Sequence, residues 1–534
     1  MSAASPAYLL SLAAEDSAQR FPDHPAFIFR DAVLTYGDVA RRARSLAAYL
    51  LERGLAPSGR VGLYLRKCLE LPAALYGVLA AGGVYVPIDP AAPPGRLRFI
   101  LEDCGIRHLV AGPERRAALT ALVRDGVQLD SIIGLEPGDV EGAHCVPWSE
   151  IWARDPLSVL PRRTELDLAY IIYTSGSTGS PKGLMHTHAS GLAYARMSGR
   201  VYDVSPEDRL GNHSPLHFDM STFEYLTGPL HGATTVIIPE ETTVFPVSMS
   251  RLIESARLTF WYSVPLALVQ ILLRGEVQDC DCRSLRWVLF GGEPFPTGHL
   301  RNLMRLWPHA RFSNVYGPAE VNQCAYYHLP ASPEDVPDNI PIGRVWENAE
   351  GLVVDEEGGP VAAHQPGELL VRSPAMMRGY WNQPGLNQRV FFDCEPIPGF
   401  RERFLRTGDL VRDRGDGELL FLGRKDRLVK IRGYRLELDE VEAVLASHPA
   451  VAEAAAVALS AGEGEKEIVA AVILREGTGA GCECLRAHAA SRLPHYGVPS
   501  RISVLSAFPR TGTGKIDRNR LAQDLGGNPS SGGP

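Results

Sequence analysis

Lysine is scarce in this chain: it supplies six of the 54 basic residues, at positions 67, 182, 425, 430, 466 and 515, and arginine supplies the rest. Where guanidinium is the default cation, a lysine inside a short motif marks a place that needs a compact ammonium. Lys182 and Lys515 both stand in such motifs. A basic excess is missing too. The net charge of -8 argues against nucleic acid or an acidic membrane surface as a partner. No apolar run approaches the length of a membrane span. Residues 1–15 carry no basic region ahead of their apolar residues, so no signal peptide is expected. The nine cysteines are scattered. Only Cys280/Cys282 and Cys482/Cys484 lie close, and C-x-C alone lacks the spacing of a zinc site. Reduced thiols in a cytoplasmic protein are the expectation. No internal repeat is visible.

What remains is the composition of an ordinary globular protein, 45% hydrophobic and 22% charged. At 534 residues the chain is too long for one core and should divide into at least two domains. Over residues 7 to 55, periodicity predicts a helix, a short strand pair around Ala26 to Thr35, and a second helix from Tyr36 to Arg53. A further helix is expected from Cys68 to Ala81, ended by Gly82 and Gly83, followed by a buried strand at Val84 to Pro87. Helix and strand then alternate: Gly95 to Cys104, Ile106 to Ala111, Leu168 to Tyr173, Thr234 to Ile238, Met249 to Ala256, Leu285 to Leu289, Gly298 to Trp307 and Arg311 to Val315. That rhythm predicts an α/β core with a mostly parallel, helix-covered sheet. Beyond Pro341, short strands and Gly/Pro turns suggest a small β subdomain. Gly423 to Asp426 reads as a junction, and a small α+β unit follows from Arg427. The Gly/Ser/Pro tail, 526–534, should be disordered.

The densest motif is Tyr173-Thr174-Ser175-Gly176-Ser177-Thr178-Gly179-Ser180-Pro181-Lys182-Gly183, after an apolar run and before a helix-like segment. Glycines let backbone amides approach an anion, hydroxyls add neutral donors, and Lys182 adds a mobile positive charge. The spacing is not that of the Walker loop G-x-x-x-x-G-K-[ST]. A second motif, Asn314-Val315-Tyr316-Gly317-Pro318-Ala319-Glu320, directly follows a strand, where an open α/β sheet presents ligands. Arg406-Thr407-Gly408-Asp409-Leu410 reads as a tight turn offering a carboxylate. Gly423-Arg424-Lys425-Asp426-Arg427 is a charged loop, and Arg510-Thr511-Gly512-Thr513-Gly514-Lys515 places a lysine between glycines.

Together with the entry Leu34-Thr35-Tyr36 and the continuation Ile516-Asp517-Arg518 after Lys515, this ordered series closely resembles the adenylate-forming enzymes: acyl-CoA synthetases, luciferases and the adenylation domains of nonribosomal peptide synthetases. The resemblance implies ATP and Mg2+ as cofactors. It puts the phosphates on Thr174, Ser175, Gly176, Ser177, Thr178, Gly179 and Lys182, with Gly292, Asn314 and Gly317 also at the nucleotide. Tyr316 takes the adenine, Glu320 the magnesium, Asp409 the ribose, and Arg424 also contacts the nucleotide. Lys515 is implied as the catalytic lysine, alongside Thr174, Lys182 and Glu320. Ala319 departs from the family pattern, where threonine is common. The implied organisation is an adenylation core over 1–424, a hinge at 425–426 centred on Asp426, and a mobile domain over 427–525.

Leu216-His217-Phe218-Asp219-Met220-Ser221 resembles the F-D-x-S motif of amino-acid-activating members, whose Asp pairs with the α-amino group. Carried over by motif, the substrate pocket is Asp219, Met220, Phe223, Tyr262, Leu289, Gly291, Val315, Gln323, Cys324 and Lys515. A mostly apolar wall with two bulky aromatics suits a compact apolar amino acid, and the set looks like that of prolyl-adenylating members that load a carrier ahead of pyrrole formation. Gln323 is more polar than that pattern. D-Alanine, another small amino acid, or acyl-CoA formation remain alternatives, as does an inactive nucleotide-binding assembly partner. No H-H-x-x-x-D-G condensation motif occurs, and few residues follow Lys515. The expected partners are therefore a separate carrier protein, or coenzyme A as acceptor, with a small helper protein left open.

Overall fold

The computed structural model describes residues 7–176, 180–431, 433–462, 465–475, 477–510 and 516–526. Its contacts separate two compact units: Met1–Pro90, Leu101–Tyr173 and Gly183–Lys425 form one, while Ala91–Ile100, Thr174–Lys182 and Asp426–Pro534 form the other. The division at Lys425/Asp426 falls inside the charged junction. Two earlier segments, one of them the glycine-rich loop, group with the C-terminal unit.

Among the described residues the first unit is built on sheets of nine, eight and five strands. In the nine-stranded sheet, Arg311–Tyr316, Trp287–Gly291, Phe260–Ser263, Arg209–Asn212, Thr234–Ile237 and Pro25–Phe29 lie side by side and parallel. Antiparallel strands finish both edges, Ala32–Thr35 on one side and Ala325–His328 followed by Arg344–Val345 on the other. The eight-stranded sheet runs parallel through Val84–Pro87, Arg60–Tyr64, His108–Ala111 and Ser131–Ile133. Near-continuous apolar strands of this kind require cover on both faces. The helices Tyr36–Glu52 and Glu70–Ala80 supply it, burying Leu46, Leu50, Leu75 and Val78 in one core with Tyr85 and Tyr170. Thr35 starts the first of these helices with a capping box: its hydroxyl accepts from Asp38 N, and the Asp38 carboxylate accepts from Thr35 N.

The five-stranded sheet comprises Glu350–Val354, Pro366–Arg372, Phe391–Ile397, Phe400–Asp413 and Leu419–Arg424, all antiparallel. Two readings from sequence change here. The segment Arg406 to Leu410 is not a tight turn but part of a 14-residue strand. Pairing skips from Glu368↔Leu410 to Leu370↔Arg406, so Thr407 to Asp409 bulge out, with Gly408 at a φ of 71°. Gly423 and Arg424 likewise belong to a strand, with Arg424 facing Asp409.

In the second unit, Leu438–Ala446 and Cys482–Ala490 pack on the sheet Val451–Gly462, Glu465–Leu474 and Arg501–Val504. The hairpin Leu428–Ile431/Tyr434–Glu437 precedes them. The 527–534 part of the predicted tail lies outside the described residues, as do Ser177, Thr178, Gly179 and Lys515. Among the described residues no helix is long and apolar enough to cross a membrane.

Candidate functional site

Within the first unit, the motif Asn314 to Glu320 leaves the C-terminal end of a central parallel strand. Gly317 is obligatory there: a Cβ would lie 2.6 Å from Gln323 Cα and 2.7 Å from Asn322 O. Asn314 Nδ2 donates to Pro341 O at 2.7 Å, fixing the strand end. The Tyr316 hydroxyl donates to Asp409 Oδ2, and Arg424 Nη1 bonds Asp409 Oδ1. Arg424 Nη2 also reaches Thr407 O at 3.1 Å, and Thr407 Oγ1 accepts from Asp409 N at 3.0 Å. The bulge thus presents Asp409 to two partners at once. Burial, reinforced by the Asp409 carboxylate, holds the Tyr316 phenol above its ordinary value, so it stays a neutral donor.

Glu320 is 3% exposed, and its Oε1 accepts the Tyr380 hydroxyl at 2.5 Å. Its carbonyl accepts from Met377 N at 2.7 Å. The preceding residue is held by His186, whose Nε2 donates to Ala319 O at 3.2 Å while its ring stacks on Tyr170 at 4.8 Å. Burial pushes the His186 imidazole down to about 4, so it is neutral at pH 7. Among the described residues no group of three or more His, Cys, Asp or Glu side chains is arranged to hold a metal. A lone buried carboxylate still fits magnesium, which binds proteins through one or two carboxylates and takes its other ligands from phosphate and water.

The candidate pocket wall comes from adjacent strands and one helical turn. Phe223, Tyr262, Leu289 and Val315 are buried in one cluster with Met220 packed against it. Tyr262 pairs in register with Leu289, and Gly291 with Val315. A Cβ at Gly291 would lie 2.3 Å from Val315 O, so no side chain fits. Gly292 follows at a φ of 92°. Phe223 meets Tyr262 edge to face at 5.9 Å and Tyr202 at 6.1 Å. Half-buried Asp219 accepts from Met220 N at 3.0 Å. Gln323, the polar departure, is 2% exposed and spends its amide on Tyr202 Oη at 3.2 Å, which removes one polar group from the wall. Cys324 is buried with Leu184 and Val321, in a different cluster from Phe223.

In the second unit, the glycine-rich loop joins the neighbouring strands Leu168–Thr174 and Lys182–Thr187, and a strand rather than a helix follows it. The helix His188–Tyr202 comes next, capped by Thr187. Thr174 Oγ1 is buried with no hydrogen-bond partner. A hydroxyl in that position is a ready donor to an anion, since an unsatisfied buried polar atom is costly. Ser175 Oγ donates to Arg435 O at 2.9 Å and accepts from Glu437 N at 3.2 Å. Lys182, expected as a mobile charge, is instead 8% exposed, with Glu437 Oε1 3.5 Å from its Nζ. Asp426 Oδ1 accepts from Leu428 N at 3.2 Å.

The structure therefore brings Tyr316, Asp409 and Arg424 into direct contact and gathers Met220, Phe223, Tyr262, Leu289 and Val315. Sequence reasoning missed Tyr380, Tyr202 and His186. Each acts through one polar atom on a motif residue, and no local spacing advertises that.

A family model described as AMP-binding enzyme matches residues 14–381, and one described as AMP-binding enzyme C-terminal domain matches residues 440–515. The chain is 33% identical over 519 residues to an L-proline/L-prolyl-carrier protein ligase of Pseudomonas fluorescens, covering 96% of this chain and 98% of that protein. Another protein of that name, from Streptomyces coelicolor, is 34% identical over 550 residues, covering 99% of each. Among solved structures, a nonribosomal peptide synthetase protein with adenylation and carrier domains, bound to a vinylsulfonamide inhibitor, superposes with a TM-score of 0.81. It is 25% identical and covers 98% of this chain and 84% of that one.

Proposed function

Because the chain belongs to the AMP-binding enzymes, we propose that it uses ATP to activate an amino acid, L-proline before others, as an aminoacyl adenylate. It then passes the acyl group to the phosphopantetheine thiol of a separate carrier protein, in the biosynthesis of a secondary metabolite. The observation that carries this reading is Asp219, a half-buried carboxylate beside the apolar cluster of Phe223, Tyr262, Leu289 and Val315. A carboxylate next to such a wall is suited to a compact apolar substrate with an ammonium group. The names of the two full-length relatives support proline and a carrier protein.

In this reading the substrate carboxylate attacks the α-phosphorus of ATP and pyrophosphate leaves, while charge builds on the phosphoryl oxygens. Catalysis is then mostly positioning and electrostatic stabilisation. Thr174, Lys182 and the loop amides are our phosphate donors, and Tyr316 offers a flat face to adenine. Asp409 is assigned to the ribose, whose hydroxyls a carboxylate can accept on its two oxygens. Magnesium, when bound at Glu320 and the phosphates, offsets their negative charge. Lys515, outside the described residues, is assigned to the adenylation step. The pivot is assigned to Asp426, between a core of 1–424 and a mobile domain of 427–525, so that Lys515 leaves before the thiol attacks. The nine unpaired thiols are in keeping with a cytoplasmic setting.

The test is the mass of a holo carrier protein incubated with the enzyme, ATP and L-proline. A gain of one prolyl group, absent with the apo carrier, is expected. Acylation of coenzyme A with an untouched carrier would overturn the acceptor, and transfer of D-alanine in preference to proline would overturn the substrate.

A further inference from the structure

Lys67 lies outside every motif discussed above. It is nonetheless one of six lysines, only 7% exposed, and its ammonium donates to Asn212 O at 2.8 Å and His213 O at 2.6 Å. Those carbonyls close the strand Arg209–Asn212, from which the segment bearing Asp219 and Met220 departs. Asn212 ties the far end of the same segment back: its Nδ2 donates to Ser214 O at 2.9 Å and to Glu224 Oε2 at 3.4 Å, and its Oδ1 accepts from the Tyr225 hydroxyl at 3.3 Å. Glu224 and Tyr225 sit in a single π turn, Phe223–Thr227, that also carries Phe223. Such turns interrupt a helix at a cost and recur at functional sites.

We propose that Lys67 is a positioning residue for the amino-acid pocket, fixing through the Asn212 and His213 carbonyls the departure of the segment that carries Asp219 and Met220. The proposal rests on the assignment of Asp219 to the substrate. A buried ammonium suits the task because charge-assisted bonds to neutral carbonyls are roughly twice as strong as neutral ones. A planar guanidinium would need more room than a site this enclosed gives. Burial pulls the Lys67 ammonium downward and pushes the Glu224 carboxyl upward, and each group's charge opposes the shift of the other. Inside the segment, Ser221 Oγ donates to Phe218 O at 2.6 Å. Thr222 is bonded to Asn322, which spans from the Tyr316 motif. The segment is therefore held where it leaves the strand, by Lys67, and again near its far end, by Thr222 and Asn212.

The experiment compares Lys67→Met with the parent in two assays. In pyrophosphate exchange, the KM for the amino acid should rise by at least about tenfold, with the KM for ATP changed less than about twofold. In hydrogen exchange without substrate, amides of residues 213–222 should exchange faster while those of residues 60–64 stay protected. Lys67→Gln, which keeps a neutral donor, should fall between parent and Lys67→Met in both, and it carries the comparison if Lys67→Met does not fold. Equal rises in both KM values, or unaltered exchange over residues 213–222, would overturn the role of Lys67. A parent enzyme that turns over no amino acid would instead overturn the reading of Asp219, and hydrogen exchange would still decide whether Lys67 orders the segment.

Discussion

Replacing Asp219 with asparagine changes one charge and almost no volume, so it isolates the recognition of the substrate ammonium. The carboxylate is half-buried, beside a cluster whose members Phe223, Leu289, Val315 and Tyr262 are between 0% and 6% exposed. Removing one partner from a desolvated charged pair costs about 2–5 kcal/mol in comparable sites. At 1.4 kcal/mol per decade that is roughly 30- to 3,000-fold in kcat/KM for the amino acid. Folding should change far less. The recorded local contact, Met220 N to Asp219 Oδ1 at 3.0 Å, survives in the amide, which also accepts. The assay is pyrophosphate exchange with the amino acid varied at saturating ATP, accompanied by thermal unfolding. Unchanged kcat/KM in a stably folded Asp219→Asn protein would mean that the ammonium is recognised elsewhere.

Further outcomes follow from the same geometry. Asp409→Ala strips both Tyr316 and Arg424 of a buried partner. It should lower stability by roughly 3 kcal/mol and raise the KM for ATP, as read by denaturant unfolding and exchange kinetics. Tyr380→Phe removes the hydroxyl on Glu320 and should raise the magnesium concentration needed for half-maximal rate by about five- to tenfold. His186 is pushed down to about 4 by burial, so between pH 6.5 and 4 the unfolded chain binds more protons than the folded one. Stability is therefore full above pH 6.5 and falls as pH drops toward 4, by about 3 kcal/mol from this group. In His186→Gln that slope should shrink. Lys515→Ala should slow adenylation by about 10² to 10³, yet transfer preformed prolyl adenylate to a thiol at nearly the parent rate; equal slowing of both steps would rule out its withdrawal.

Much of this architecture is legible in the chain because local chemistry and fold agree. The helix expected from Tyr36 does start there, capped by Thr35. The apolar runs Val84–Pro87 and Leu168–Thr174 are strands because buried parallel sheets want apolar residues on both faces. The Asp409 segment is a bulge rather than a turn because glycine suits positive φ in both, and only pairing of Leu410 and Arg406 with Glu368 and Leu370 separates them. Tyr380 stands 60 positions from Glu320, and Tyr202 stands 121 from Gln323. Hydrogen bonds of that reach leave no periodic trace. Of the pocket residues carried over by motif, Phe223 and Tyr262 pack in one cluster, while Cys324 lies in another with Leu184 and Val321.

What most needs testing is activation of an amino acid beside the apolar cluster of Phe223, Tyr262, Leu289 and Val315, with Asp219 as the proposed partner of its ammonium. Amino-acid-dependent exchange of labelled pyrophosphate into ATP, run across the proteinogenic amino acids, D-alanine, and representative fatty and aryl acids, tests it most directly. Fastest exchange is expected with L-proline, small relatives next, and none with acids that lack an amine. Exchange driven by a fatty or aryl acid, or by leucine or phenylalanine at ten times the proline rate, would contradict it.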